Sequence, residues 1–348
     1  MSNDPILQAL AVQSRVCASF GSAFYGGLLE RAAADLTADA RALFAPWSDQ
    51  SDAAVVDAAV ALRFLGALHD LALSGDDAAL TAAFPPSATD PGDAWRAACR
   101  AIAAHGPRLS AFMAHEPQTN EVRRSACLLP GFLTIAALTG LPLACLELGA
   151  SAGLNQLWRR YRYDYGEAGS WGDPASPLAL SAVWTGTAPP LATPISVAAT
   201  AACDRKPINL ADPAQRRRLR AYLWPDQTER IARFDAAVAM AVAAGVAVEA
   251  ADAADWVRVR AAPREGLVTV VFHSIFWQYL PPATATAIRA ALAAHGAAAG
   301  RTAPLAWLRM EPAEGSPAPI ELRLTLWPGG EDRQLAVVQA HGATVEWR

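Results

Sequence analysis

The sequence predicts an α/β protein: a mostly parallel sheet closed by a C-terminal antiparallel hairpin and preceded by an α-helical region. Three observations predict it. After Gly140, short apolar runs alternate with helical segments, the pattern that builds a parallel sheet with helices on both faces. Before Gly140 the apolar positions follow a helical period and no strand stands out. The chain ends in ELRLTLWPGGEDRQLAVVQAHGATVEW, where Pro328-Gly329-Gly330 forms the turn of a hairpin.

In the helical region Ala61, Phe64, Leu65, Leu68 and Leu71 keep one face apolar, and Ser51 or Asp52 is placed to cap that helix. Phe84 to Gly92, FPPSATDPG, reads as a loop. From Ser125 to Leu146 no residue is charged, which is long enough to cross a bilayer. Pro130, Gly131, Gly140 and Pro142 interrupt that run, so it reads as a buried helix followed by a buried strand and no membrane span is expected.

Beyond it, LPLACLEL is the first strand, LNQLWRRY a helix and TPISVAATAACD a second strand. Thr228 to Ala244 is a helix, VAVEAAD a third strand and GLVTVVFHS a fourth. Thr284 to His295 is a helix, and APLAWLRME a fifth strand. The domains expected are a helical region at 1–139 and a sheet domain at 140–348.

Composition narrows the function. The 348 residues are 53 % hydrophobic and 18 % charged, ample for a large core. A net charge of -4 argues against a nucleic-acid partner, because phosphate backbones require a basic face. Arg216 to Arg218 with Arg220 reads as a solvated helix face. The five cysteines form no CxxC pair and read as reduced core thiols. With Asp4 near an N-terminus that lacks a long apolar run, this reading places the protein in the cytoplasm. Six scattered histidines lack ligand spacing, so no metal is expected. Oligomeric state is not legible.

The chemistry concentrates in CLELGASAGLN, Cys145 to Asn155. Glu147-x-Gly149-x-x-x-Gly153 follows an apolar strand and opens a helix. Glycines there allow a tight turn and close ligand approach, and a strand-end acid can accept from a ligand amine or hydroxyl. The segment resembles the first motif of class I S-adenosylmethionine-dependent methyltransferases, and the alternating pattern with its terminal hairpin matches their Rossmann-like sheet. That resemblance makes Glu147, Gly149, Ala150, Ser151, Gly153 and Asn155 cofactor-binding residues. It puts Asp204 on the ribose hydroxyls and Asp252 with Ala253 near the adenine, with Trp256 available for stacking. The plain alternatives are a strand-to-helix turn and two capping aspartates.

His273 and Ser274 end the fourth strand, where methyltransferases face the reactive methyl group. A neutral imidazole there could accept a proton from the acceptor, so His273 is the catalytic candidate. Ser274, Trp277, Phe276 and Tyr279 are candidates for an acceptor wall. The polar stretch His115 to Arg124 adds Gln118, Asn120 and Arg123 as substrate-binding candidates on a helical region that could act as a lid. Tyr161, Tyr163 and Tyr165 could line the site or pack on it, with Tyr163 the binding candidate.

QTNEVRRSACLLP, ELGASAGLN with YRYDYG, WGDPASP, CDRKPINLADP, LWPDQTERIARF and VVFHSIFWQYL together resemble the bacterial domain-of-unknown-function family 2332, from about residue 10 to 345. The resemblance implies a divergent methyltransferase-like protein with S-adenosylmethionine as cofactor and an unidentified, small-molecule acceptor. Two rival readings stand beside it. A non-catalytic S-adenosylmethionine-binding protein would keep the fold without transfer. Gly149-Ala150-Ser151-Ala152-Gly153 also spells the GxSxG elbow of α/β-hydrolases, which would make Ser151 an esterase nucleophile with Asp252 or Asp255 and His273 or His341 as partners.

Overall fold

The computed structural model describes residues 4–313, 315–316 and 318–348. Two compact units divide the chain. One takes the N-terminal residues through Thr119 together with Asp212–Ala232, and the other takes Asn120–Ala211 and Arg233–Arg348. The division therefore falls after Thr119 and not after residue 139. The reason is the helix Ser125–Thr139, which packs on the sheet: a Cβ on Gly131 would lie 2.6 Å from Leu308 Cδ1.

The first unit is helical. Its helix Val60–Ser74 buries Ala61, Phe64, Leu65, Leu68 and Leu71, the expected apolar face. The expected cap belongs to another helix. Ser51 accepts from the Ala54 N–H to start a short helix at Asp52–Asp57. Left-handed Ala59, φ 52°, then breaks the chain before Val60, and the long helix begins without a side-chain cap.

That long helix also buries polar groups, each of them bonded. Arg63 donates to the carbonyls of Ala58 and Met113 at 2.7 and 3.0 Å. Asp70 accepts from Arg108 and Arg217 at 3.3 and 3.0 Å. The arginine run, expected as a solvated face, is instead half-buried within this unit, because Arg217 pairs with Asp70 and Arg218 lies over the Phe112 ring.

His69 is buried, with Nδ1 3.1 Å from the Ala221 carbonyl. Burial pushes its pKa down from 6.5 to about 4. The folded value lies below the unfolded one, so this contribution is complete above about pH 6.5 and lost as the pH falls towards 4. Between about pH 6.5 and 4.5 the loss should be about 2 kcal/mol. Urea unfolding at both pH values should show it in the wild type and not in His69→Gln; equal slopes in the two proteins would remove the assignment.

The second unit holds the sheet. Its strands are β1 (Leu143–Leu148), β2 (Arg162–Asp164), β3 (Ser170–Trp171), β4 (Ala179–Ser181), β5 (Val183–Gly186), β6 (Val197–Asp204), β7 (Glu249–Ala250), β8 (Val268–Ser274), β9 (Leu305–Pro312), β10 (Ile320–Trp327), β11 (Glu331–Val338) and β12 (Thr344–Trp347). Nine of them form one sheet in the order β5-β12-β11-β10-β9-β8-β1-β6-β7. From β9 to β7 every neighbour is parallel, and β10, β11 and β12 add antiparallel pairs. The α/β class, the five strands in chain order and the terminal hairpin are as the sequence predicts.

The sheet is covered on both faces. All six residues of β1 are buried, as a central parallel strand requires. Leu146, Leu148, Val271 and Trp307 pack with Trp256 and Val257 of the helix Ala253–Arg260 and with Ile288 and Leu292 of the helix Pro282–Ala298. Towards the helix Ser125–Thr139, Phe132 stacks on Trp158 at 4.4 Å and meets Phe272 edge-on at 5.1 Å. A small second sheet, β3-β2-β4, carries the tyrosine-rich segment. There Tyr161, Tyr163 and Tyr165 are buried and donate to the carbonyls of Leu154, Trp158 and Ala126. No helix among the described residues is long and apolar enough to cross a membrane.

Candidate functional site

Parallel β1 lies between β6 and β8, with Glu147 level with Ala202 on one side and Phe272 on the other. The chain passes from β1 to β6 and returns to β8 across β1, so the sheet order reverses there. Open α/β sheets hold their ligands outside the carboxyl ends of the strands at such a switch point. Five loops meet that edge, after Leu148, Asp204, Ala250, Ser274 and Pro312.

The loop after β1 turns through three left-handed residues, Gly149, Ser151 and Gly153, with φ of 63°, 56° and 72°. It is anchored by backbone bonds, since Ala150 donates to the Cys203 carbonyl and Ile208 donates to that of Ser151. A Cβ on Gly153 would stand 2.8 Å from Val246 and 3.0 Å from Val248, and one on Gly149 would stand 2.2 Å from Phe276 Cδ2. Both glycines are thus required by φ and by neighbours. The segment beyond, Leu154–Arg160, is the expected helix, in 3-10 form. Its first donor, the Leu154 N–H, is satisfied by Asn120 Oδ1 at 2.9 Å.

Ser151 is the unusual member. A serine at positive φ is uncommon, and strained backbone of this kind clusters at functional sites. Its hydroxyl is buried and has no hydrogen-bond partner.

Two acids flank the loop. Glu147 is buried at the end of β1 and accepts from Gln156 Nε2 at 3.0 Å. Burial pushes its pKa up to about 8, against the lowering influence of Gln156, so the carboxyl holds its proton at neutral pH. Asp204, at the end of β6, accepts from the backbone N–H of Ser151 and of Lys206, both at 2.8 Å. A carboxylate offers about four acceptor positions, so Asp204 ties the two loops together and keeps capacity for a ligand.

Other expected residues serve the fold. Asn155 accepts from Ser125 Oγ at 2.7 Å in the interior, and Asn120 caps Leu154. Tyr163 is buried with its hydroxyl on the Trp158 carbonyl. Asp252 is exposed and caps the next helix by accepting from Ala254 and Asp255, with Ala253 buried beneath it. Trp256 lies in the core cluster, away from any stacking role. Gln118 belongs to the helical unit and the loop to the other.

Arg123 donates to the Ser181 carbonyl, whereas its neighbour Arg124, which sequence reading passed over, donates to the Ser274 carbonyl at 3.2 Å and lowers the Glu147 pKa by its charge. Arg124 is therefore the arginine of this pair at the strand ends. Two adjacent arginines carry no signal of which one turns inward.

At the end of β8, Ser274 and Trp277 are half-buried, and His273 is wholly buried with both ring nitrogens engaged. Nδ1 lies 2.6 Å from Glu311 Oε1, and Nε2 accepts from Trp307 Nε1 at 3.0 Å. An acceptor at Nε2 and a carboxylate at Nδ1 fix a neutral tautomer with the proton on Nδ1. This leaves no free nitrogen for an acceptor proton, so the catalytic role expected for His273 has no support in the geometry. Trp277 stacks on the imidazole at 5.3 Å, and Arg289 lies over Trp277. Glu311 also accepts from the Phe276 N–H with both oxygens, at 3.0 and 3.2 Å. Sequence reading passed over Glu311 and Trp307 because their partners come from another strand. Among the described residues no cluster of histidine, cysteine or acid side chains could hold a metal ion.

Fold and site together define an α/β protein with a mostly parallel nine-strand sheet and a strained glycine turn at its switch point. The chain belongs to the family described as uncharacterized protein conserved in bacteria (DUF2332), which it matches over residues 8–347. This agrees with the resemblance read from its motifs. No curated protein and no solved structure matches the chain.

Proposed function

We propose that the sheet unit has a Rossmann-like methyltransferase fold, binds S-adenosylmethionine at the carboxyl ends of β1 and β6, and transfers its methyl group to a small-molecule acceptor. The observation that carries this is the left-handed glycine turn at the switch point, flanked by Glu147 and Asp204. The run β7-β6-β1-β8-β9 followed by antiparallel β10 agrees with it.

The residues fit the group. Glu147 is an acid whose burial outweighs its hydrogen bond, and a ligand ammonium beside it would favour its ionised form. Ser151 holds an unpaired hydroxyl on the same turn. Asp204 retains acceptor positions for ribose hydroxyls. The cofactor supplies an electrophilic methyl group on a sulfonium. With His273 committed on both nitrogens, the chain's own contribution is positioning and exclusion of water. The esterase reading needs a base on Ser151, and the absence of any hydrogen bond to its hydroxyl speaks against one.

Calorimetric titration with S-adenosylmethionine and S-adenosylhomocysteine tests the proposal. Saturable binding is expected, weakened roughly 10- to 100-fold in Glu147→Gln by loss of a charged hydrogen bond. No binding at millimolar ligand would overturn it, and labelling of Ser151 by a fluorophosphonate would then favour the hydrolase. Binding with no transfer across an acceptor screen would favour the non-catalytic reading.

A further inference from the structure

We propose that Glu311 is a positioning residue for the ligand site: it holds the Phe276 ring over Gly149, and ligand reaches the glycine turn by displacing that ring. The inference rests on the ligand-binding reading above for its occupant, but its geometry is independent of what the ligand is.

Four observations carry it. The Phe276 ring stands where a Gly149 Cβ would be, so it covers the closest approach to the turn. The preceding residue, Ile275, has φ 48°, a conformation that a β-branched residue rarely adopts. Such strain persists only where surrounding structure fixes it. Here the Ile275 N–H donates to the Met310 carbonyl at 2.9 Å, and Glu311 receives the next N–H, that of Phe276. Glu311 is itself buried and oriented by His273, whose far nitrogen is locked by Trp307. A chain of three buried side chains thus ends on the backbone that aims the Phe276 ring.

The arrangement is sensitive to one atom. Glu311 Oε1 accepts from both His273 and Phe276, and Oε2 accepts from Phe276. A glutamine with its oxygen at the Oε1 position keeps an acceptor for both donors but turns the second acceptor of the Phe276 N–H into an NH2 group, donor against donor, so it weakens this anchor. Shape is preserved and one of the two acceptors of the Phe276 N–H becomes a donor, which separates positioning from packing.

The test measures two things on wild type, Phe276→Ala, Glu311→Gln and the double variant: amide hydrogen exchange of residues 149–153 without ligand, and the association rate of S-adenosylhomocysteine by stopped flow. Loss of one ring contact should raise both in each single variant, the association rate roughly tenfold. The double variant should be no faster than Phe276→Ala, because both changes act through the same ring. Thermal unfolding checks that each variant folds, and Phe276→Ala keeps the test open if Glu311→Gln does not.

Unchanged exchange and association in Phe276→Ala would overturn the inference. Faster association in Phe276→Ala alone would retain the ring as the cover and overturn the role of Glu311. If the wild type binds no S-adenosylhomocysteine, the functional proposal fails. The exchange data then decide the inference, with raised exchange in both single variants supporting it and unchanged exchange overturning it.

Discussion

Glu147→Gln will keep its stability through neutral pH while the wild type loses about 3 kcal/mol between pH 5 and pH 8. The carboxyl is buried, and its pKa rises from 4.5 in the unfolded chain to about 8 in the folded one. A raised folded value means that the native state holds the proton more tightly. This contribution is complete below about pH 4.5 and declines as the pH climbs through 8. Glutamine keeps an acceptor for Gln156 Nε2 and never ionises, so its profile over that window should be flat by comparison. Chemical denaturation at pH 5, 6, 7 and 8 checks this. Parallel profiles would mean that water or a neighbouring cation already supports the carboxylate. Under the functional proposal, a ligand ammonium lowers the same pKa, so binding near pH 7 should release a proton. Titrations in buffers of different ionisation enthalpy would detect that release.

The sequence made Glu147 visible because it sits at a fixed place, the end of an apolar run before a glycine turn. β1, β8 and β9 were legible for a related reason, since buried parallel strands read as continuous apolar runs. β2 to β5 were not, because two to four residues are too few to show alternation. The unit boundary, after Thr119, was hidden because the helix Ser125–Thr139 that follows it is apolar on nearly all sides and so does not reveal its partner. The return of Asp212–Ala232 to the first unit is a long-range fact with no local signature. Within the site, residues fixed by backbone demands were legible, and residues fixed by register were not. His273 stood out as a strand-end histidine, but its pairing with Trp307 and Glu311 depends on how β8 meets β9. With that pairing known, a candidate base becomes part of the support for a loop. Asp252 shows the converse, because capping and ligand binding favour the same residue types at the same places.

Gly149→Ala should destabilise the protein by about 3 kcal/mol, with part of that loss recovered when Phe276 is shortened as well. Two costs combine. Alanine at φ 63° is left-handed, worth about 1 to 2 kcal/mol. Its Cβ would also sit 2.2 Å from Phe276 Cδ2, an overpacking that costs about 1 to 3 kcal/mol. The first cost belongs to the backbone and survives any change in the neighbour; the second vanishes when the ring is removed. A double-mutant cycle with Phe276→Ala, measured by urea unfolding, should therefore give a coupling of about 2 kcal/mol. Gly153→Ala is the control. It has a similar φ of 72°, but its Cβ would meet Val246 and Val248, so Phe276→Ala should not relieve it. Coupling at both glycines would mean that shortening Phe276 loosens the whole turn. Coupling at neither would mean that the ring moves aside freely, and the glycine at position 149 would then answer to φ alone. Coupling at Gly149 only ties this glycine to one aromatic side chain, through a contact between the loops after β1 and β8 that sequence spacing does not reveal.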